Sequence, residues 1–166
     1  MILALDAAAL RNDPGLAEAL LDLNNAHAVE LSVLDADRLA RLVDEAFVAR
    51  RFGLADALLI AFDQDADYDS PNFLWFRDRY ERFVYVDRVV TAAAARGRGL
   101  AGALYRDLVE QARAAGHTLI VCEVNADPPN PASEAFHKGF GFEPVGEALL
   151  PNGKTVSYLA FRIAAR

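Results

Sequence analysis

The segment Arg96-Gly97-Arg98-Gly99-Leu100-Ala101 combines residue types that bind phosphate. Free backbone N–H groups at the start of a helix, together with the helix dipole, attract anions, and glycines let a ligand approach that backbone closely. Each arginine adds charge-assisted hydrogen bonds that contribute roughly 1.5 to 3 kcal/mol. The segment predicts a phosphate-binding turn if a strand precedes it and a helix follows it.

Two common phosphate-binding patterns fit this segment poorly. GxxxxGK[ST] is excluded because the Lys-Ser/Thr end is missing. Residues 97–102, GRGLAG, do complete a GxGxxG string, but a dinucleotide fingerprint needs a strand directly before it and an acidic residue about 20 residues later. Alanines 92–95 intervene here, and Glu123 is a distant candidate for the acidic residue. A Rossmann-type nucleotide binder therefore stays open as an alternative.

Residue patterns predict the elements that position this turn. Residues 83–91, FVYVDRVVT, are rich in β-branched residues and predict a strand. Leu100, Leu104 and Leu108 recur at helical spacing and predict a helix that ends near Gly116. The segment is thus expected between a strand and a helix.

The rest of the chain predicts alternating helices and strands. The first 46 residues are predicted helical, with one helix after Pro14 and another capped by Asp35. A short helix is expected from Ser70-Pro71, with Ser70 as its cap. Further elements are predicted as strands over residues 57–62, 118–124, 141–147 and 155–163 and a helix over 132–138.

Composition and charge exclude several classes of protein. With 166 residues, 54% of them hydrophobic, residues 1–166 are expected to form one globular domain. No apolar run approaches the ~20 residues of a membrane span, and Asp6 interrupts the opening apolar stretch, so neither a membrane-spanning nor a secreted protein is expected. A net charge of −7 disfavours nucleic acid and favours a cationic partner such as an amine.

Neither the cysteine nor the acidic residues predict a metal site. Cys122 is the only cysteine, which excludes an intramolecular disulfide and cysteine-rich zinc sites and favours the cytoplasm. The aspartates that alternate over residues 63–69 resemble the start of a calcium loop, but Tyr68 and Leu74 occupy the positions that need Gly and Glu. A solvated acidic loop is expected there.

Two motifs in order resemble the GNAT superfamily of N-acetyltransferases. RGRGLA fits the family pattern [RQ]-x-x-G-x-[GA], and residues 130–142 resemble N-x-x-[AS]-x-x-[LF]-Y-x-x-x-G-F, with His137 in place of the tyrosine. The resemblance covers residues 83–146. It implies an α/β (α+β) fold with a mixed, mostly antiparallel central sheet, two splayed parallel strands, and helices on both faces.

The resemblance also implies an acetyl-CoA site. The N–H groups of residues 97–101 would hold the pyrophosphate, and the strand through Val89 would offer its backbone to the pantetheine arm in the slot between residues 84–91 and 118–124. The implied cofactor-binding residues are Val89, Arg96, Gly97, Arg98, Gly99, Leu100, Ala101, Asn130 and Phe136.

Acetyl transfer to an amine needs a base and an acid. At neutral pH, deprotonation costs about 4.6 kcal/mol for a lysine-like amine and about 1.4 kcal/mol for an α-amino group. Asp87 and Glu123, one on each splayed strand, are the candidate bases, with a slight preference for Asp87. His137 is the candidate acid for the CoA thiolate. The substitutes for that acid are Tyr85, Tyr105 and Tyr158.

The sequence thus predicts an acetyl-CoA-dependent N-acetyltransferase that acts on a primary amine of a small molecule or of a protein or peptide. A GNAT-like module that binds acyl-CoA as a regulatory ligand without catalysis is the alternative, because His137 departs from the motif. The family also admits a homodimer.

Overall fold

The computed structural model describes residues 1–165, which form one seven-stranded sheet and six helices within that range. A short 3-10 turn, Ala93–Ala95, leads into the predicted phosphate-binding turn. The strands are β1 (Ile2–Ala4), β2 (Val48–Phe52), β3 (Ala57–Asp63), β4 (Val84–Thr91), β5 (Leu119–Asp127), β6 (Glu143–Leu149) and β7 (Thr155–Arg162). The helices are α1 (Ala7–Asn12), α2 (Pro14–Asn25), α3 (Ala36–Glu45), α4 (Pro71–Arg77), α5 (Leu100–Ala114) and α6 (Pro131–Phe140).

The central pair of strands separates along its length. The sheet has the order β1-β2-β3-β4-β5-β7-β6, and β4 and β5 are parallel while every other described pair is antiparallel. β4 and β5 pair only at Val84 with Ile120 and at Tyr85 with Val121. β4 then continues to Thr91 beside β3. The predicted mixed sheet with splayed parallel strands is confirmed, and the parallel sheet that a Rossmann-type binder requires is not formed.

Helices cover both faces of the sheet, as predicted. Strand residues alternate between the two faces, so Tyr85 packs in the core beneath α1 to α4 and its neighbour Val84 packs in the core beneath α5. Fully buried leucines anchor the helices in these two cores, for example Leu20 and Leu39 on one side and Leu104 on the other.

One expectation about local structure is wrong. The first 46 residues are not helical throughout, because Ile2–Ala4 forms an edge strand against β2. Three residues are too few to show an alternating pattern, so the pairing partner decides the conformation. Ser70 is the N-cap of α4 and Pro71 is its first residue, as predicted, although the Ser70 side chain makes no capping hydrogen bond. Asp35 does cap α3, accepting from the Arg38 N–H at 2.7 Å.

Candidate active site

The turn before α5 has the geometry of an anion-binding site. Gly97 and Gly99 adopt φ of 77° and 71°, in the left-handed region that favours glycine, and Gly99 is the N-cap of α5. No side chain caps this helix end. The first helical bond of α5 runs from Ala103 N–H to Gly99, so the N–H groups before Ala103 precede the helical ladder. A Cβ at either glycine would meet nothing within 4 Å, which leaves the turn open to a ligand.

The two arginines of the turn make weak contacts at the surface. Arg98 pairs with Asp56 at 3.2 Å, and both side chains are exposed. Arg96 Nη2 lies 3.2 Å from His27 Nε2, while His27 Nδ1 lies 3.0 Å from the Leu23 carbonyl. Because a carbonyl only accepts, Nδ1 carries the proton and Nε2 accepts from Arg96. Exposed contacts of this kind contribute at most about 1 kcal/mol, so a phosphate can replace them.

Glu123 lies where β4 and β5 separate. Its strand position is two residues beyond Val121, the last β5 residue that pairs with β4. Tyr85 donates its hydroxyl hydrogen to the Glu123 carboxylate, with O–O distances of 2.8 and 3.0 Å, and Asn72 Nδ2 donates to Oε1 at 3.0 Å. The pKa of Glu123 is raised to about 8, mainly by burial and further by the charge of Asp87, while the hydrogen bonds from Tyr85, the backbone and Asn72 limit the rise. A carboxyl group with this pKa can exchange a proton near neutral pH.

Asp87 is held in a buried ion pair. β4 has a bulge at this point, because Val86 pairs with Ala61 and Arg88 pairs with Ile60, which leaves Asp87 as the extra residue. The Asp87 carboxylate accepts from Arg88 Nε at 2.8 Å and from the Tyr68 hydroxyl at 2.5 Å. The side chains of Asp87 and Arg88 are only 5% and 4% exposed. Asp87 therefore has a charge partner of its own.

Arg88 extends this network to the helices. Its guanidinium donates to Asn24 Oδ1 at 2.7 Å and to Ser32 Oγ at 3.2 Å. Asn24 lies at the end of α2 and is fully buried. The network fixes the segment after α2 against β4. As a base, Asp87 stays a prediction, and these contacts favour a structural role for its carboxylate.

His137 lies in the core between α5 and α6. Its Nδ1 is 2.7 Å from the Ser133 carbonyl and its Nε2 is 2.7 Å from the Tyr105 hydroxyl. Nδ1 must donate to the carbonyl, so Nε2 accepts from Tyr105. Burial lowers the pKa of His137, which keeps the ring neutral. Both nitrogens are engaged, and the role of His137 as an acid stays a prediction that these contacts do not favour.

The candidate tyrosines divide between the two faces. Tyr105 is bonded to His137 beneath α5, whereas Tyr158 lies on β7 directly opposite Glu123. The Tyr158 hydroxyl donates to Asn72 Oδ1 at 2.9 Å. Burial raises the pKa of Tyr158 to about 12. Tyr85 and Tyr158 therefore share one hydrogen-bonded group with Glu123.

The remaining predicted cofactor residues lie on β4 and at α6. Val89 lies on the part of β4 that does not pair with β5 within residues 1–165. Asn130 caps α6 by accepting from the Ser133 N–H at 3.3 Å. Phe136 contacts Tyr105 edge-on, with ring centroids 5.4 Å apart. Their contact with a cofactor stays a prediction.

Asn72 is the residue that sequence reasoning missed. It is the second residue of α4, in a connection that no motif covers, and it touches both Glu123 and Tyr158. Its sequence signal is confined to its position just after the proline that begins the helix. Among residues 1–165, no group of three or more His, Cys, Asp or Glu side chains is arranged to hold a metal ion.

Comparison with known proteins agrees with this geometry. The sequence model of the acetyltransferase (GNAT) family matches residues 72–142. A search of curated proteins found no match. Among residues 1–165, no helix is long and apolar enough to cross a membrane.

Several solved structures share the fold. The Escherichia coli ribosomal-protein-S18-alanine N-acetyltransferase superposes with a TM-score of 0.70 at 16% identity, covering 100% of this chain and 95% of that one. Arabidopsis thaliana NAA60 in complex with acetyl-CoA gives 0.71 at 15% identity, with 98% of each chain covered. The putative acetyltransferase yncA from Salmonella typhimurium with its cofactor acetyl-CoA gives 0.65 at 16% identity, covering 100% and 95%. The glycine turn and the divergent strands lie together in this fold, and residues 72–142 match the sequence model of the acetyltransferase (GNAT) family.

Proposed function

We propose that the protein is an acetyl-CoA-dependent N-acetyltransferase whose acceptor is a primary amine of a small molecule or of a protein or peptide. The observation that carries the proposal is the position of Glu123, a partly buried carboxyl with a pKa of about 8, at the point where β4 and β5 separate. The uncapped start of α5 follows β4 in the chain after the connection over residues 92–99.

The residues fit acetyl-CoA in the way that the turn suggests. The open N–H groups at residues 97–101 would hold the pyrophosphate, with Arg96 and Arg98 released from His27 and Asp56 to add charge. When bound, acetyl-CoA supplies an acetyl thioester that a neutral amine can attack. The unpaired edge of β4 near Val89 offers backbone groups along the arm.

Glu123 would take the proton of the acceptor amine. Its pKa of about 8 lies close to that of an α-amino group, so the proton moves between them at little cost. A lysine-like amine loses its proton less readily, by about 3 kcal/mol in the same site. N–H groups of the bulged part of β4 would stabilise the charge that develops on the carbonyl oxygen.

A regulatory acyl-CoA-binding module remains the second candidate. The observation that favours it is His137, which replaces the motif tyrosine and has both ring nitrogens engaged in the core. In an enzyme, the thiolate would then be protonated by another group, and Tyr158 and Tyr85 beside Glu123 are the nearest hydroxyls to that carboxyl.

Calorimetry with acetyl-CoA tests the cofactor site. Gly99→Glu places a carboxylate and a side chain in the turn, and we expect binding to be lost. Gly153→Glu is the matched control, because Gly153 has a φ of 85° and equally open surroundings away from the turn. Equal affinity in the two variants would refute the assignment of the turn.

Release of CoA across a panel of primary amines separates the two candidate functions. The enzyme releases CoA with at least one acceptor, and Glu123→Gln suppresses that release. A regulatory module binds acetyl-CoA and releases none with any amine, and that result would overturn the proposed catalysis.

A further inference from the structure

The connection between β3 and β4 is much longer than the join between two neighbouring antiparallel strands requires. Such strands are usually joined by two to five residues, whereas this connection covers residues 64–83 and contains α4. The connection is packed into the molecule, because its own residues Phe73 and Phe76 are fully buried. A long, well-anchored connection beside an opening in the sheet is commonly functional.

Within this connection, Asn72 spans a cross-strand pair. Glu123 on β5 and Tyr158 on β7 are register partners. Asn72 Nδ2 donates to Glu123 Oε1 at 3.0 Å, and Asn72 Oδ1 accepts from the Tyr158 hydroxyl at 2.9 Å. When the Glu123 carboxyl is ionised it only accepts, and the amide has one donor end, so this form requires the observed orientation of the amide.

An aromatic anchor fixes the helix that carries Asn72. Trp75, one turn further along α4, stacks on the Tyr158 ring with centroids 4.1 Å apart. The indole also lies against Gly146, where a Cβ would come within 2.5 Å of it. Arg79 covers the indole ring, with its guanidinium carbon 3.9 Å from the centroid. The position of the Asn72 amide is therefore determined by packing and does not depend on its own hydrogen bonds alone.

We propose that Asn72 is a positioning residue of the site, whose amide orients the Glu123 carboxylate and couples it to the Tyr158 hydroxyl. Among side chains, Asn72 donates to Glu123 Oε1, and the Tyr85 hydroxyl lies within hydrogen-bond distance of both carboxylate oxygens. The carboxylate held in this orientation takes the proton of the acceptor amine. The inference rests on the proposed function for this last step only.

Several titratable groups lie near Glu123, and the test must separate their effect on its pKa from the effect of Asn72. Tyr85 and Asp87 face it from β4, Tyr158 from β7, and Tyr68 from the β3–β4 connection. Asn72 adds an uncharged donor that stabilises the ionised carboxylate. Removing that donor should therefore make Glu123 harder to ionise without changing any charge nearby.

The experiment measures the titration of Glu123 in the full chain by NMR with 13C-labelled glutamate, assigned with Glu123→Gln. In Asn72→Leu we expect the midpoint to move upward by about one pH unit, because a hydrogen bond to a charged group is lost. In Asn72→Asp, which keeps the acceptor for Tyr158 and adds a like charge, we expect a larger upward shift. Ser70→Ala is the matched control, because the Ser70 side chain makes no capping bond at the same helix start.

Kinetics give the second measurement. The acid limb of kcat/KM against pH should move with the NMR midpoint in the Asn72 variants, with the KM for acetyl-CoA unchanged. Midpoints equal to those of the wild type and Ser70→Ala would overturn the inference, even if turnover fell. If Asn72→Leu does not fold, Asn72→Asp alone decides the matter. Because the NMR titration needs no acceptor, it stands or falls separately from the proposed acetyl transfer.

Discussion

Replacing Glu123 with glutamine keeps the shape of the side chain and removes its titration. The difference between the two proteins in how the free energy of unfolding changes with pH therefore reports the ionisation of this carboxyl. Burial raises the pKa of this group from 4.5 to about 8. The raised pKa means that the stabilising contribution of the protonated group is complete below about pH 4.5. It is lost as the pH rises through about 8.

The magnitude follows from the two pKa values. Between them the folded protein retains a proton that the unfolded chain has released, and the free energy of unfolding falls by about 1.4 kcal/mol per pH unit. From pH 5 to pH 8 the wild type should lose about 3 kcal/mol relative to Glu123→Gln. The glutamine variant lacks this loss because its amide does not ionise.

Urea unfolding of both proteins at unit steps from pH 5 to pH 8, followed by the fluorescence of Trp75, gives the difference. Other titrating groups occur in both proteins, so their contributions largely cancel in the subtraction. A difference that stays constant within about 0.5 kcal/mol over this range would refute the reasoning, since the carboxyl would then ionise equally in the folded and unfolded chains.

Three further substitutions test the contacts around the site. Asp87→Ala leaves the Arg88 guanidinium buried without its counter-charge, and urea unfolding should show a loss of stability of about 3 to 5 kcal/mol. Adding Arg88→Met should recover part of this loss, and no recovery would contradict the ion pair. His137→Phe leaves the buried Tyr105 hydroxyl without the His137 acceptor and should lower the stability by about 1 to 3 kcal/mol, with turnover within a few-fold of wild type. A hundredfold loss of turnover at unchanged stability would instead assign the acid role to His137. Gly146→Ala forces a methyl group against the Trp75 indole ring and should lower the stability by about 1 to 3 kcal/mol. Gly139→Ala in α6 has open space and should not lower it, and equal melting temperatures of the two variants would disprove the close packing.

Elements with strong local signals could be predicted from the sequence. The helix after Asp35 has a side-chain cap, both it and the helix through Leu100, Leu104 and Leu108 have an apolar face, and both occur where expected. β1 could not be predicted, because its three residues owe their conformation to pairing with β2. The sequence contains the partner but does not show which distant segment will meet it.

Residues of the site that lie in a consecutive motif could also be predicted, whereas a residue placed by tertiary packing could not. The turn at Gly97 and Gly99 could be located because a motif places consecutive residues, and the backbone there is left-handed as glycine permits. Asn72 could not be located, because its function depends on a helix packing across two strands that lie 51 and 86 residues further along the chain. An asparagine after a proline is a common helix start and carries no chemical signal by itself.

The choice between the two carboxylates shows why geometry is needed even when the residues are known. Asp87 and Arg88 are adjacent in sequence, and the two-residue period of a strand would place them on opposite faces. The bulge in β4 brings both onto the face beneath α1 to α4, where they form an ion pair. Arg88 is thus bonded to Asp87, whereas the side chains that donate to Glu123 are the uncharged Tyr85 and Asn72. Burial raises the pKa of Glu123 to about 8, so this carboxyl can bind a proton near neutral pH, while the Asp87 carboxylate is held by Arg88.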